Sequence, residues 1–268
     1  MRKTIIAILI IASAAAAARA GELAPMERVA LLVEADKAFQ DAVNSENDWE
    51  AEANYRKAIN AWERLADDGI RNGRLHYNLA NTYFRLGEPA LAILHYRRAL
   101  RLMPGDSRII SNLRFARTRL HDKIDVSGKR ALARSLFFWH YDTSLKARSI
   151  SALVFYVLVW VLLAAVIFLR RRALRWMLAG AVAVTIALAA SCLVSGLMRS
   201  DEGVVTAEQV TIRKGSGLSY EPKYEAGLHS GAEFTVIERR GTGRNCWLHI
   251  KLADGKAGWI PASACEII

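Results

Sequence analysis

The chain has 268 residues, with 37 Lys and Arg against 26 Asp and Glu and a formal charge of +11. Hydrophobic residues make up 53% and the mean hydropathy is +0.12, which argues against a purely soluble protein. The length accommodates two or three small units. So large a positive charge can mark nucleic-acid binding. Here the arginines gather beside apolar runs, so basic membrane flanks explain them better and no nucleic-acid partner is expected.

Residues 1–20 read as a signal peptide. Arg2 and Lys3 precede an apolar stretch from Ile5 to Ala18, and Ala18-Arg19-Ala20 is a small-residue cleavage site. An uncleaved anchor is the alternative, though the apolar stretch is short for one. The segment that follows is therefore expected outside the cytoplasm.

Residues 21–125 are expected to be helical. Within "HYNLANTYFRLGEPALAILHYRRALRLMP" (76–104), Leu79, Ala80, Tyr83, Gly87, Ala92, Tyr96, Ala99 and Pro104 stand at the offsets of a tetratricopeptide repeat. Small Ala80 and Ala92 let two antiparallel helices approach, the tyrosines fill the space around them, Gly87 supports the turn and Pro104 stops the second helix. Ala51, Tyr55 and Ala58 form a partial upstream copy, and a helix from Ser107 to Leu120 can cap the stack. Asp67 and Asp68 read as capping residues at a helix end. By resemblance to such repeats, Tyr77, Asn81 and Phe84 line a partner-binding groove and Asn112 extends it. The alternative is that these four are ordinary packed or solvated residues.

Residues 126–149 form a membrane-proximal segment with an aromatic cluster at Phe137, Phe138, Trp139 and Tyr141, suited to a bilayer edge. Two uncharged runs follow, 150–169 and 176–198, each long enough to span about 30 Å of hydrocarbon. Between them lie Arg170, Arg171, Arg172 and Arg175, which the positive-inside rule assigns to the cytoplasm as a short loop over 170–175. Lys129, Arg130, Arg134, Lys146 and Arg148 flank the first run on its other side, so the charge count alone is ambiguous. The expected export of the N-terminus decides it. Neither run carries a central charge, which argues against an ion pathway.

Residues 204–268 switch to strand patterns. Leu248, Ile250 and Leu252 alternate with Trp247, His249 and Lys251, and Asp254-Gly255 supports a hairpin turn. Val210-x-Ile212-Arg213 and the Gly258-Trp259 that follows that turn resemble a bacterial SH3 domain, a small five-stranded barrel. The resemblance implies peptide binding, with Arg213, Tyr220, Tyr224, Trp247 and Trp259 as surface candidates; Trp259 reads more readily as core. Cys246 and Cys265 either pair as a disulfide or stay as separate thiols, and Cys192 lies within an apolar run.

The order of these parts, with "YNLANTYFRLG" and "LFFW", resembles the E-type protein of the bacterial aerotolerance (Bat) operon. The implied fold is multi-domain: an all-α tetratricopeptide-repeat domain, a two-helix transmembrane hairpin and an all-β SH3-like barrel. The resemblance implies a non-catalytic scaffold in the bacterial inner membrane, both domains facing the periplasm or cell exterior. Its expected partners are proteins, including von Willebrand A-domain membrane proteins encoded beside this family together with a MoxR-type ATPase. A cell-wall peptide binder or envelope sensor, with peptidoglycan peptides as ligand, is the alternative. No catalytic motif and no His/Cys metal spacing appears, so neither an enzyme nor a cofactor or metal is expected.

Overall fold

A computed structural model describes residues 23–122, 143–197 and 201–268. The signal peptide and the aromatic cluster at 137–141 lie outside these residues. The chain divides into two compact units, Met1–Glu88 and Pro89–Ile268.

In the first unit, α1 (Pro25–Asn44), α2 (Asp48–Asp67) and α3 (Gly73–Arg85) follow one another. Proline opens α1, where its missing N–H costs nothing. Asn47 and Asn72 cap α2 and α3 by accepting the N–H of Trp49 and of Arg74, each at 2.9 Å. On α1, Leu31, Ala35, Ala38 and Ala42 recur at helical spacing and are buried. On α2 the buried set is Tyr55, Ala58, Ile59, Ala61, Trp62 and Leu65. The alanines let the two helices approach, and Phe39 sits tilted between the Tyr55 and Trp62 rings at 5.7 and 5.8 Å. Trp62 is the largest fully buried side chain among the described residues, only 1% exposed. On α3, Leu79, Ala80 and Tyr83 are buried as the repeat pattern requires, and the Tyr83 hydroxyl donates to the Glu63 carboxylate. After α3, Gly87 adopts a φ of 75°, the left-handed turn expected there.

Asp68 does not cap a helix with its side chain. Its carboxylate, 2% exposed, accepts the backbone N–H of Leu23 at 2.7 Å and Arg28 Nε at 2.6 Å. It thereby ties down the start of α1.

The second unit opens with α4 (Pro89–Leu102) and α5 (Ser107–Arg117), which pack on each other through Ile93, Tyr96 and Ala99 on one side and Ile109, Leu113 and Ala116 on the other. Helix α4 stops short of Pro104, as expected. Asp106 caps α5 by accepting the Arg108 N–H at 3.0 Å, and the Arg108 side chain in turn holds the Asp106 carboxyl below its usual range.

Next comes an antiparallel helical pair, α6 (Leu145–Leu169) and α7 (Arg172–Leu197). Each offers a 25-residue span containing an 18-residue window of mean hydropathy 3.0 or 2.3, long and apolar enough to cross a membrane. Helix α6 begins five residues before the uncharged run, because Ser144 caps it by accepting the Ala147 N–H at 3.2 Å. Arg148 is thus inside the helix rather than on a loose flank. It is buried and donates to Ser191 Oγ at 2.7 Å, which fastens α6 to α7. Arg170, with a φ of 46°, ends α6, and all four loop arginines are exposed.

The strands are β1 (Glu202–Val205), β2 (Gln209–Val210), β3 (Leu228–His229), β4 (Glu233–Arg240), β5 (Trp247–Leu252), β6 (Ala257–Pro261) and β7 (Cys265–Ile267). Among the described residues they form a five-stranded antiparallel sheet in the order β6-β5-β4-β1-β7 and a two-stranded ribbon, β2-β3. The sheet is open, with β6 and β7 at its edges, so no barrel is closed as the SH3 resemblance implied. The edge of β6 is met in backbone pairing by one residue, Arg213, which exchanges both backbone hydrogen bonds with Trp259 at 2.9 Å, while the Tyr224 hydroxyl accepts the Ala257 N–H at 3.3 Å. The segment after Arg213 folds back on itself, with Arg213 bridging Pro222 and the Lys223 N–H donating to the Ile212 carbonyl at 2.8 Å, instead of extending a ladder along β6. The core lies on the face carrying Val205, Ile212, Phe234, Leu248, Ile250 and Ile260.

Candidate functional site

Tyr77, Asn81 and Phe84 are half-buried and sit four and three residues apart on α3, hence on one face of that helix. Asn112 is half-buried on α5, in the other unit. All four also interact with other groups of the protein. The sequence reading missed a second surface in the first unit. Met26, Val29 and Val33 lie on exposed positions of α1, opposite its buried alanines. Their signal was present in the sequence, since α1 carries apolar residues at helical spacing on two faces rather than one.

The sheet candidates divide by exposure. Tyr220 is open, 51% exposed, and its backbone carbonyl accepts Arg213 Nη1 at 2.7 Å. Tyr224 is half-buried against the core, with its hydroxyl at Ala257 and the Lys223 and Lys256 ammonium groups 5.8 and 6.0 Å from its ring centre. Trp247 and Trp259 are buried, so they are not open surface aromatics. Trp259 is also outside the apolar cluster. Pairing of β6 with β5 turns Ile260 into the core and Trp259 to the other face, where it stacks on His249 at 5.0 Å with Arg240 4.9 Å from its ring centre. Lys214 approaches Glu221 at 2.8 Å and holds that carboxyl below its usual value.

Cys192, Cys246 and Cys265 are free thiols. Burial, and then the neighbouring Cys246, push the Cys265 thiol up to about 12. The thiolate is the reactive form, so a thiol held this far up is inert near neutral pH.

A charged seam within the second unit was not anticipated. Arginines of α4 and α5 meet acids of the sheet. Arg117 grips Glu233 with two bonds, 2.6 and 2.8 Å, and Arg97 reaches Glu202 and, at 3.3 Å, Glu233. Arg98 bonds Glu266 at 2.8 Å and the Ile267 carbonyl at 3.0 Å, and Arg101 donates to the Ile268 carbonyl. Beyond α5, Asp122 accepts the backbone N–H of His229 at 2.8 Å. The only hint in the sequence was the density of arginine in "YRRALR" (96–101), which by itself names no partner.

Residues 49–104 match the family model of the tetratricopeptide repeat. The match runs from α2 through α4 to Pro104 and so takes in both the partial upstream copy and the full repeat. Repeats of this class mediate contacts between proteins. No curated protein matches the chain.

Proposed function

We propose that this chain is a non-catalytic membrane scaffold of the aerotolerance E type, holding protein partners at the outer face of a bacterial inner membrane. The observation that carries this reading is a tetratricopeptide match and two membrane-length apolar helices in one chain. On this reading α6 and α7 cross the membrane, and the helical and sheet regions both lie in the periplasm. What supports their sharing a side is the bond between Arg117 and Glu233, 116 residues apart with both apolar helices between them. An even number of crossings is needed for such a contact. What supports a cytoplasmic loop is that Arg172 and Arg175 occupy the first turn of α7, where the helix dipole disfavours cations by about 0.3–1 kcal/mol. Helix stability therefore does not account for them.

Tyr77, Asn81, Phe84 and Asn112 are the proposed partner contacts, with von Willebrand A-domain membrane proteins as the expected partners. The sheet region would serve as an SH3-like module. A second reading, binding of cell-wall peptides, is favoured by Tyr220, which stands open beside the Arg213 guanidinium. Pulldown of the full chain from solubilised membranes separates the two. Recovery of von Willebrand A partners after muramidase digestion supports the scaffold. Sedimentation with purified sacculi and no protein recovered supports the wall binder. Asn81→Ala should reduce partner recovery with unchanged helicity; undiminished recovery removes Asn81 from the groove.

A further inference from the structure

We propose that His121, Asp122 and His229 form a site for one divalent transition-metal ion of the zinc type, where the residues after α5 meet the β2-β3 ribbon. This goes beyond the scaffold reading and does not depend on it. Two imidazoles and a carboxylate present donor atoms that all lie within 4.8 Å of one another. Asp122 Oδ1 is central, 2.9 Å from His229 Nδ1 and 3.6 Å from His121 Nδ1, and the two imidazole centres are 4.2 Å apart. Metal–ligand distances of about 2.0–2.2 Å require donor-to-donor edges of roughly 3.3–3.5 Å in a tetrahedral site. The two edges to Asp122 bracket that range and the third is no longer than 4.8 Å, so side-chain rotation admits an ion.

The site is held from behind. Asp122 Oδ2 accepts the His229 backbone N–H at 2.8 Å, which leaves Oδ1 facing the imidazoles. The backbone approach is fixed as well. Arg117 clamps Glu233, and Leu120 lies against Gly231, whose φ is +90° and where an added Cβ would come within 2.2 Å of Leu120 Cδ2. The two stretches that carry the ligands are therefore assembled before any ion arrives.

Two nitrogens and one oxygen suit zinc, nickel or copper, whereas calcium takes about six to eight oxygens. His121 is 79% exposed on its side chain, which leaves the ion a way in. Three protein ligands leave a fourth position open, as at sites that take water or an incoming group. A bound ion would staple the residues just after α5 to β3. The ligands are invisible to spacing rules because 107 residues separate Asp122 from His229.

The test uses full-length protein in detergent, stripped with a chelator and titrated with Zn²⁺ by calorimetry and with Co²⁺ by absorbance. The expected result is one ion per chain, with His121→Ala and His229→Ala each weakening binding at least about tenfold. His249→Ala, which removes an imidazole stacked on Trp259 instead, should leave binding unchanged. Zn²⁺ should raise the Tm of the wild type and not of His121→Ala, whose exposed ring is not needed for folding. Absence of stoichiometric uptake overturns the proposal, as does equal uptake by His121→Ala. A thiolate charge-transfer band with Co²⁺ would assign the ion to cysteines and overturn it too.

Discussion

The interior of the first unit and the seam of the second are built from opposite materials. Between α1 and α2 the contacts are alanines, Leu31, Ile59 and three aromatic rings, nearly all shut away from water. Between α4–α5 and the sheet they are Arg97, Arg98 and Arg117 against Glu202, Glu233 and Glu266, all partly open to solvent. Apolar burial is non-directional and grows with area, so the first contact should hold in any salt. Partly exposed ion pairs are screened and individually weak, so the second should be adjustable. The difference teaches which part of the chain is a fixed frame and which can be loosened.

The largest expected effect breaks the frame. Trp62→Ala removes the most completely buried large side chain and should cost about 3–5 kcal/mol, read as a lowered Tm of the helical signal. Next, Arg117→Ala deletes a two-bond grip on Glu233 and leaves that carboxylate with Arg97 alone. It should cost about 1–3 kcal/mol and speed amide exchange at the start of β4, leaving α1 and α2 unchanged. Raising salt from 50 mM to 1 M should speed exchange in β1 and β4 and leave α2 untouched. Equal loosening of both would dissolve the contrast.

Cys265 gives a pH test. Folded, its thiol is pushed from 9.0 to about 12. The unfolded chain gives up the proton from about pH 9 while the folded protein keeps it. That contribution is whole below pH 9 and fades between 9 and 12. Near pH 8 the Cys265 thiolate fraction is about one in ten thousand, so alkylation should mark Cys246 well before Cys265. The smallest effect is at the surface. Lys57→Ala removes an exposed pair with Glu34 at 3.4 Å and should change stability by less than about 0.5 kcal/mol.

Much of the helical packing in both units was legible because periodicity reports burial. Leu79, Ala80, Tyr83, Ala92, Tyr96 and Ala99 were named from spacing and all are buried. The alternation of Leu248, Ile250 and Leu252 likewise marked β5. Closure of the sheet was not legible, since it depends on how the segment after Arg213 meets β6, and local alternation does not encode that meeting. Trp259 is buried, as its reading as core implied, but only its pairing with His249 shows that it packs on the face opposite the Ile260 cluster. The seam and the His121–Asp122–His229 cluster were hidden for one reason. Charged side chains choose partners through the fold, and no period in the sequence marks a bond across 107 or 116 residues.

The most direct test of the scaffold account is to insert a reporter active only after export near residue 120 in one fusion and after residue 268 in another. The account predicts strong signal from both, with a reporter in the 170–175 loop silent. A silent reporter near 120 or after 268 would put the helices and the sheet on opposite sides and contradict it.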